Sequence, residues 1–122
     1  MWLWHVGGSD RLSPGLRTAI DAAVGRLWYS PISIWEIGML HTRGRIRLEG
    51  GPRAWLETAL ARFPLEEATL TREVALRSTE LDLGHRDPAD HVLAATALAH
   101  GLTLVTLDAR LTGADWLPTL SD

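Results

Sequence analysis

The sequence predicts an α/β domain with a mostly parallel sheet that helices cover on both faces. Short apolar runs containing β-branched residues alternate along the chain with longer helical segments, which is the order of repeated strand and helix units. Glycine and proline lie at nearly every boundary between these segments and mark the turns. At 122 residues the chain is long enough to bury one core and too short for two, so residues 1–122 are interpreted as a single domain.

The composition excludes several classes of function. All 12 basic residues are arginine, which rules out a lysine nucleophile or Schiff base, and the absence of cysteine rules out disulfides and thiol chemistry. A net charge of -3 argues against coating nucleic acid by bulk electrostatics, but it allows an enzyme that contacts a few phosphates. No apolar segment approaches membrane-spanning length and the start lacks a signal-peptide pattern, so a cytoplasmic location is expected.

The first part of the chain predicts a core segment, a helix and a strand. Residues 1–6 are dominated by tryptophan, leucine and valine, so this segment is expected in the core rather than in a free terminus. Ser13 and Pro14 are typical N-cap and first-turn residues for a helix over 13–24, which a glycine ends. Residues 26–30 then indicate a short strand, because a proline follows them.

The next helix, predicted over residues 32–42, carries the first acid of interest. Ser33 and Glu36 have the S-x-x-E spacing of a capping box, in which the two side chains satisfy free N–H groups at the helix start. Glu36 also lies just past a strand end among apolar neighbours, which favours a position over a functional crevice. The spacing alone slightly favours the capping role, and both interpretations remain open.

A glycine-rich loop with several arginines follows this helix. Arg43, Arg45 and Arg47 form a basic cluster that fits contacts with phosphates or an acidic partner, although a solvated surface is the commoner explanation. Beyond it, apolar residues at helical spacing predict helices over 53–62 and 71–81, and the glutamates of 63–70 and the proline of 116–120 predict edge strands.

The stretch 85–111 is the most informative part of the sequence. An Ala-rich helix is predicted here. Asp87 suits its N-cap, Pro88 suits its first helical position, and Gly101 ends it. Asp90 lies in the first turn, one turn before apolar residues, so its face is expected to turn inward. A buried acid needs a partner, and this chain has no lysine to provide one.

A strand and a further acid follow this helix. Residues 102–107 form a nearly continuous apolar run, which is typical of a strand covered on both faces, and Asp108 stands at its carboxyl end. Strand ends and adjoining helix starts face a common crevice in such sheets, so Asp90 and Asp108 are expected to meet. Thr106 has two possible roles: its hydroxyl hydrogen-bonds a carboxylate or a water in this crevice, or its side chain only packs against its neighbours. Two carboxylates in a crevice repel each other, and a hard divalent cation relieves that repulsion.

The other polar residues of this stretch have simpler explanations. Asp87 alone is interpreted as a helix cap, and Asp108 alone would be an ordinary turn residue after a strand. His85 and His91 have the chemistry of metal ligands, but on an ideal helix His91 points about 100° away from Asp90. Both histidines are therefore predicted to be structural.

Three segments together resemble a known family. They are DRLSP at 10–14, SPISIWEI at 30–37 and HRDPADHVLAATALAHGLTLVTLDARL at 85–111. In this order and spacing they resemble a PIN-domain protein, specifically a VapC-type toxin of a type II toxin–antitoxin pair. The resemblance implies a three-layer α/β/α PIN-like fold, metal-dependent ribonuclease activity, inhibition by a cognate VapB-like antitoxin and, commonly, a homodimer.

The resemblance also assigns roles to individual residues. It places Glu36, Asp90 and Asp108 among the family's metal-binding acids, and this raises the functional interpretation of Glu36 above the capping box. Asp87 is the accessory carboxylate, and Thr106 matches the polar residue beside the last acid. The implied chemistry is Mg²⁺ or Mn²⁺ activating a water for in-line attack on an RNA phosphodiester. Arginines 43 and 45 are expected to guide RNA or to contact the antitoxin.

The sequence departs from the family pattern at its start. Family members begin with an apolar strand ending in an aspartate, usually within Asp-Thr-His, a few residues before the position that Trp4 matches. That strand lies at the centre of the family's sheet, so the central strand and the first metal-binding aspartate are both expected to be missing here. Leu40 also stands where related toxins often carry a lysine.

This departure leads to further expectations. Either translation starts upstream of Met1 or the gene is a degenerate copy, and the 122-residue form is expected to be marginally stable or aggregation-prone and to bind Mg²⁺ weakly. The second functional hypothesis is a degenerate toxin that captures antitoxin without cleaving RNA. A phosphoacceptor receiver domain is disfavoured, because such domains use a lysine that this chain lacks.

Overall fold

The computed structural model describes residues 2–4, 27–62, 64–105 and 109–120. Their elements follow the alternating order that the sequence predicts. The strands are β1 Trp2–Trp4, β2 Leu27–Tyr29, β3 Glu66–Glu67, β4 Thr103–Val105 and β5 Thr119–Leu120, and the helices are α1 Pro31–Thr42, α2 Gly51–Arg62, α3 Arg72–Glu80, α4 Pro88–His100 and α5 Ala109–Thr112.

The described strands form one sheet in the order β3-β2-β1-β4-β5, and every neighbouring pair is parallel. The predicted α/β class with a parallel sheet is therefore confirmed. Strands β3 and β5 lie at the two edges, as the glutamates of β3 and the proline just before β5 predict. Both glutamates of β3 are exposed, so charge covers the outer edge of the sheet there.

The centre of the sheet corrects one expectation. The sequence predicts an empty central position, but Trp2–Trp4 occupies it and pairs with β2 on one side and β4 on the other. The register places Trp2 opposite Leu27 in β2 and opposite Thr103 in β4. Because β1 supplies backbone partners to both neighbours, the two open strand edges do not form, and the marginal stability inferred from them loses its basis.

The start of α1 corrects a second expectation. The N-cap is Ser30, whose Oγ accepts a hydrogen bond from the Ile32 amide at 3.1 Å, and Pro31 occupies the first turn. Ser33 therefore lies inside the helix, and it is buried. The predicted capping box of Ser33 and Glu36 is wrong. The helix instead begins at Pro31, because Ser30 caps it and Pro31 favours the first helical position. Glu36 is left without a capping role.

The start and end of α4 agree with the prediction. Asp87 is the N-cap and accepts from the Ala89 amide at 3.0 Å, with Pro88 in the first turn. Gly101 is the C-cap in the left-handed conformation, with φ 66°. Helix α3 begins in a similar way, since the Thr71 side chain accepts from the Val74 amide at 3.2 Å.

Helix α4 forms much of the hydrophobic core. It packs against α3, α1 and β4. The alanines of α4 are small, so several neighbouring elements pack closely against this helix. Apolar residues from the last third of the chain complete the core cluster. The buried members of the cluster are Ala68, Leu93, Ala94, Ala97, Leu102, Leu104, Leu111 and Leu117.

None of the helices in the described ranges is both long and apolar enough to cross a membrane. The helix predicted over residues 13–24 lies outside the described residues. The helix predicted to begin at residue 53 begins two residues earlier, at Gly51, so the predicted loop before it is shorter.

Replacing Gly101 by Ala is expected to lower the free energy of unfolding by about 1 to 2 kcal/mol, because an L side chain is strained at positive φ. An added Cβ meets no atom within 4 Å, so the effect isolates the backbone conformation. Gly38→Ala is the matched control: it also meets nothing within 4 Å, and it lies inside α1, where alanine raises stability by about 0.5 to 1 kcal/mol. Urea denaturation measures both variants, and unchanged stability in Gly101→Ala would contradict the assignment of Gly101 as a left-handed helix cap.

Candidate metal centre

Two helices bring acids together in the described part of the chain. Helix α1 packs against α4 and carries Glu36, and the start of α4 carries Asp87 and Asp90. Burial raises the pKa of Glu36, and the charges of both aspartates raise it further. Acids more than fifty positions apart in sequence therefore lie close enough to repel one another.

Asp90 is the most buried of these acids, at 3% exposure. It lies on the inward face of α4, as its spacing from the apolar residues predicts. Its Oδ2 atom accepts from Nε2 of His85 at 2.8 Å, so a histidine provides the partner that a lysine-free chain cannot. A charge-assisted contact of this length in a buried setting holds the carboxylate in one position.

Glu36 is held in an unfavourable environment for a charge. Burial, together with repulsion from Asp87 and Asp90, raises its pKa from 4.5 to about 7. Its Oε1 atom is buried and has no hydrogen-bond partner within the described residues. An unpaired buried oxygen beside two other carboxylates is the environment that a cation would relieve.

Asp87 has two effects at the start of α4. Its Oδ1 accepts from the Ala89 amide at 3.0 Å, which makes it the cap that the sequence predicts. Its charge also contributes to the raised pKa of Glu36. The cap therefore adds to the negative potential of the site, as an accessory carboxylate would.

The remaining predicted site residues divide into two groups. Asp108 and Thr106 lie outside the described residues. Within the ranges that the structure describes, no three histidine, cysteine, aspartate or glutamate side chains form a group that holds a metal ion.

Arg43 and Arg45 are exposed beyond the end of α1, so they are open to a partner or a substrate. Their assignment to RNA or antitoxin stays a prediction.

His85 was not singled out by the sequence as part of the site. The sequence predicts it to be structural, and in the structure its ring contacts the carboxylate of Asp90. The available signal was the combination of a buried acid, the absence of lysine and a histidine five positions before that acid. The loop between them has to fold back for the contact to form, and spacing alone does not predict such a turn.

The donor set fits a hard divalent cation. Carboxylate oxygens are the ligands that Mg²⁺ and Mn²⁺ prefer, and the buried Oε1 of Glu36 lacks a competing hydrogen bond within the described residues. A cation would also remove the repulsion that Glu36 experiences from the two aspartates. Glu36 and Asp90 are therefore the residues of the described part that would hold it.

Replacing Glu36 by Gln is expected to change how stability depends on pH in metal-free buffer. The folded protein retains a proton on Glu36 up to about pH 7, whereas the unfolded chain releases it near 4.5. The wild-type protein therefore loses stability as the pH rises through this window, by roughly 1 to 2 kcal/mol after allowance for solvent screening. E36Q lacks this loss, so it is the more stable of the two at pH 8.

Urea denaturation of both proteins at pH 5 and pH 8, with EDTA, measures the difference. E57Q is the control, because Glu57 is an exposed carboxylate on α2. Wild-type and E36Q stabilities that change in parallel between the two pH values would show that Glu36 is not destabilised by ionisation.

The parallel sheet, its helices and the converging acids define an α/β protein with a carboxylate-rich centre. The PIN domain family model matches residues 1–117, and the chain belongs to the PIN-domain family. The resemblance found in the sequence is thereby confirmed.

Individual relatives agree with this assignment. Ribonuclease VapC22 of Mycobacterium tuberculosis (strain ATCC 25618 / H37Rv) is 35% identical over 109 residues, which are 88% of this chain and 82% of that protein. The crystal structure of VapBC2 from Rickettsia felis bound to a promoter DNA fragment contains a chain with a TM-score of 0.64 and 14% identity, covering 88% of this chain and 85% of that one. A toxin–antitoxin complex from Klebsiella pneumoniae gives a TM-score of 0.60 at 17% identity, covering 99% and 97%. The structural likenesses confirm the fold.

Proposed function

We propose that this protein is a divalent-metal-dependent endoribonuclease toxin of a toxin–antitoxin pair, which hydrolyses RNA phosphodiester bonds in the cytoplasm. Membership of the PIN-domain family supports the proposal. So does the 35% identity to a protein named as a VapC ribonuclease. A cognate VapB-like antitoxin is the proposed inhibitor, since the chains of similar fold come from toxin–antitoxin complexes, and the proposed form is a homodimer.

The observation that carries the proposal is the convergence of acids from α1 and α4. Glu36 has a buried oxygen without a hydrogen-bond partner in the described ranges, and nearby Asp90 is 3% exposed. Carboxylates that are buried together repel one another, and this repulsion lowers the stability of the folded protein unless a cation binds between them. Such a cost is typical of a functional site.

The proposed roles of the residues follow from their positions. Mg²⁺ or Mn²⁺ would be held by Glu36, Asp90 and Asp108, and when bound it would activate water and neutralise charge on the scissile phosphate. Asp90 is fixed by its histidine contact, so it presents an already oriented carboxylate. Asp87 adds negative potential at the helix start. Thr106 is proposed to hydrogen-bond the neighbouring acid or a water, and the exposed arginines 43 and 45 to contact RNA or antitoxin.

A cleavage assay with metal exchange tests this function. The purified protein is incubated with labelled structured and unstructured RNA in EDTA, and then with added Mg²⁺, Mn²⁺ or Ca²⁺. We expect no cleavage in EDTA, recovery with Mg²⁺ or Mn²⁺, and little with Ca²⁺, whose larger and more flexible coordination suits this chemistry poorly. Cleavage that is unaffected by EDTA would contradict the proposed mechanism.

A catalytically degenerate module that binds antitoxin without cleaving RNA is the second candidate. Co-expression with the antitoxin encoded beside the gene separates the candidates. A stable complex together with no Mg²⁺-dependent cleavage by the free protein would support the degenerate module.

A further inference from the structure

The loop before α4 places an imidazole directly against a site acid. Nε2 of His85 donates to Oδ2 of Asp90 over 2.8 Å, and the two side chains are 19% and 4% exposed. A short contact between a ring N–H and a carboxylate is stronger in a buried setting than at the surface, because water does not compete for it. The contact therefore fixes the rotamer of Asp90.

The imidazole has two other close neighbours. Its Nδ1 atom lies 3.3 Å from the carbonyl oxygen of Leu83, a residue that packs against the hydrophobic core. Its ring meets the ring of His91 edge-on at a centroid distance of 5.9 Å. His91 is in turn tied through Nδ1 to the carbonyl oxygen of Asp87 at 2.8 Å. Packing near Leu83 and against His91 thus limits the positions of the ring that contacts the acid.

A purely structural tie between loop and helix explains this arrangement less well. The start of α4 is already fixed by the Asp87 cap and by Pro88 in the first turn. The His85 contact instead ends on a buried acid whose charge acts on Glu36 across the boundary between two helices. Its effect is on the orientation of a carboxylate rather than on the formation of the helix.

We propose that His85 is a positioning residue of the metal centre, which holds one oxygen of Asp90 so that the carboxylate is directed toward Glu36 and a shared divalent cation. A carboxylate can accept from a histidine through one oxygen and coordinate a cation through the other. This inference rests on the proposed function, because it assumes that the acids bind a divalent cation. It adds a residue that orients one of those acids.

Substitution of His85 with and without a replacement donor tests the proposal. His85→Ala removes the donor, whereas His85→Gln retains an N–H that reaches the carboxylate, and His85→Asn has the same group on a shorter side chain. His100→Gln is the matched control, since His100 lies at the other end of α4 and contacts the Thr69 carbonyl oxygen. Electron paramagnetic resonance measures the Kd for Mn²⁺, crystal structures of the metal-free variants show the Asp90 rotamer, and thermal melting checks the fold.

We expect H85A to raise the Kd for Mn²⁺ by roughly 10- to 100-fold, the range found when residues that support metal ligands are removed. H85Q should recover most of this loss and keep the Asp90 rotamer, H85N should recover little, and H100Q should match the wild type. If H85A does not fold, the difference between H85Q and H85N decides. Equal affinity in all variants overturns the proposal, and so does tighter binding in H85A, which would show that the histidine competes with the cation.

The same samples separate this inference from the proposed function. RNA cleavage is measured alongside Mn²⁺ binding. If no variant cleaves RNA but the affinities rank as expected, the nuclease proposal fails and the positioning role stands. If all variants cleave RNA and bind Mn²⁺ equally, the positioning role fails and the nuclease stands. A wild-type protein that binds no Mn²⁺ overturns both.

Discussion

If Asp90 is the proposed ligand of the catalytic cation, replacing it by Asn is expected to lower the rate of Mg²⁺-dependent RNA cleavage by at least about 100-fold, because the change removes the charge while keeping the shape of the side chain. Asn can still accept from His85, so the buried contact and the fold are expected to persist. The measurement is the single-turnover cleavage rate, with circular dichroism and thermal melting on the same preparation.

The control for Asp90→Asn is Glu57→Gln, which removes the same charge from an exposed position on α2. It should leave cleavage unchanged. A folded D90N protein that cleaves RNA within about threefold of the wild type would show that Asp90 is not a ligand of the catalytic cation.

Replacing Leu93 by Ala is expected to lower the free energy of unfolding by about 3 kcal/mol, within the range for truncating a fully buried leucine. Leu93 is 0% exposed at the centre of the core cluster, where neighbouring alanines cannot extend to fill the space. The loss combines the removed apolar area with the cavity that remains. Urea denaturation at constant pH measures it.

Leu76→Ala is the matched control for the core substitution. Leu76 lies on α3 and is 54% exposed, so the same chemical change there should cost less than about 1 kcal/mol. Similar losses at the two positions would contradict the placement of α4 at the centre of the core.

Much of the fold could be predicted because local signals and tertiary structure agree. The sequence Asp87-Pro88 at the start of α4 and Gly101 at its end mark boundaries that the backbone adopts, since each residue type satisfies or permits the geometry of a helix end. The charged strand β3 lies at an edge because exposed glutamates are compatible with water there and not with the centre of a sheet. In these places one residue decides the outcome.

The errors lie where two local signals compete or where a distant segment decides. Ser30 and Ser33 are both acceptable caps, and the proline after the first makes it the observed one. The centre of the sheet is filled by Trp2–Trp4, a segment too short to be identified as a strand by periodicity. Only the pairing with two other strands determines its place.

The candidate site could be predicted only where local spacing determines the position of a side chain. The inward face of Asp90 follows from helical spacing, and burial of that acid is observed. The proximity of Glu36 to it depends on how α1 packs against α4, which spacing alone does not determine. The contact of His85 and the raised pKa of Glu36 depend on tertiary burial and on neighbouring charges, so they emerge only from the structure.

Glu36 and Asp90 are proposed to share one divalent cation. Isothermal titration of Mn²⁺ into the wild type, E36Q, D90N and the E57Q control tests it most directly. We expect a single site in the wild type and in E57Q, with affinity at least about 10-fold weaker in both E36Q and D90N. Unchanged affinity in E36Q and D90N, both shown to be folded, would contradict it.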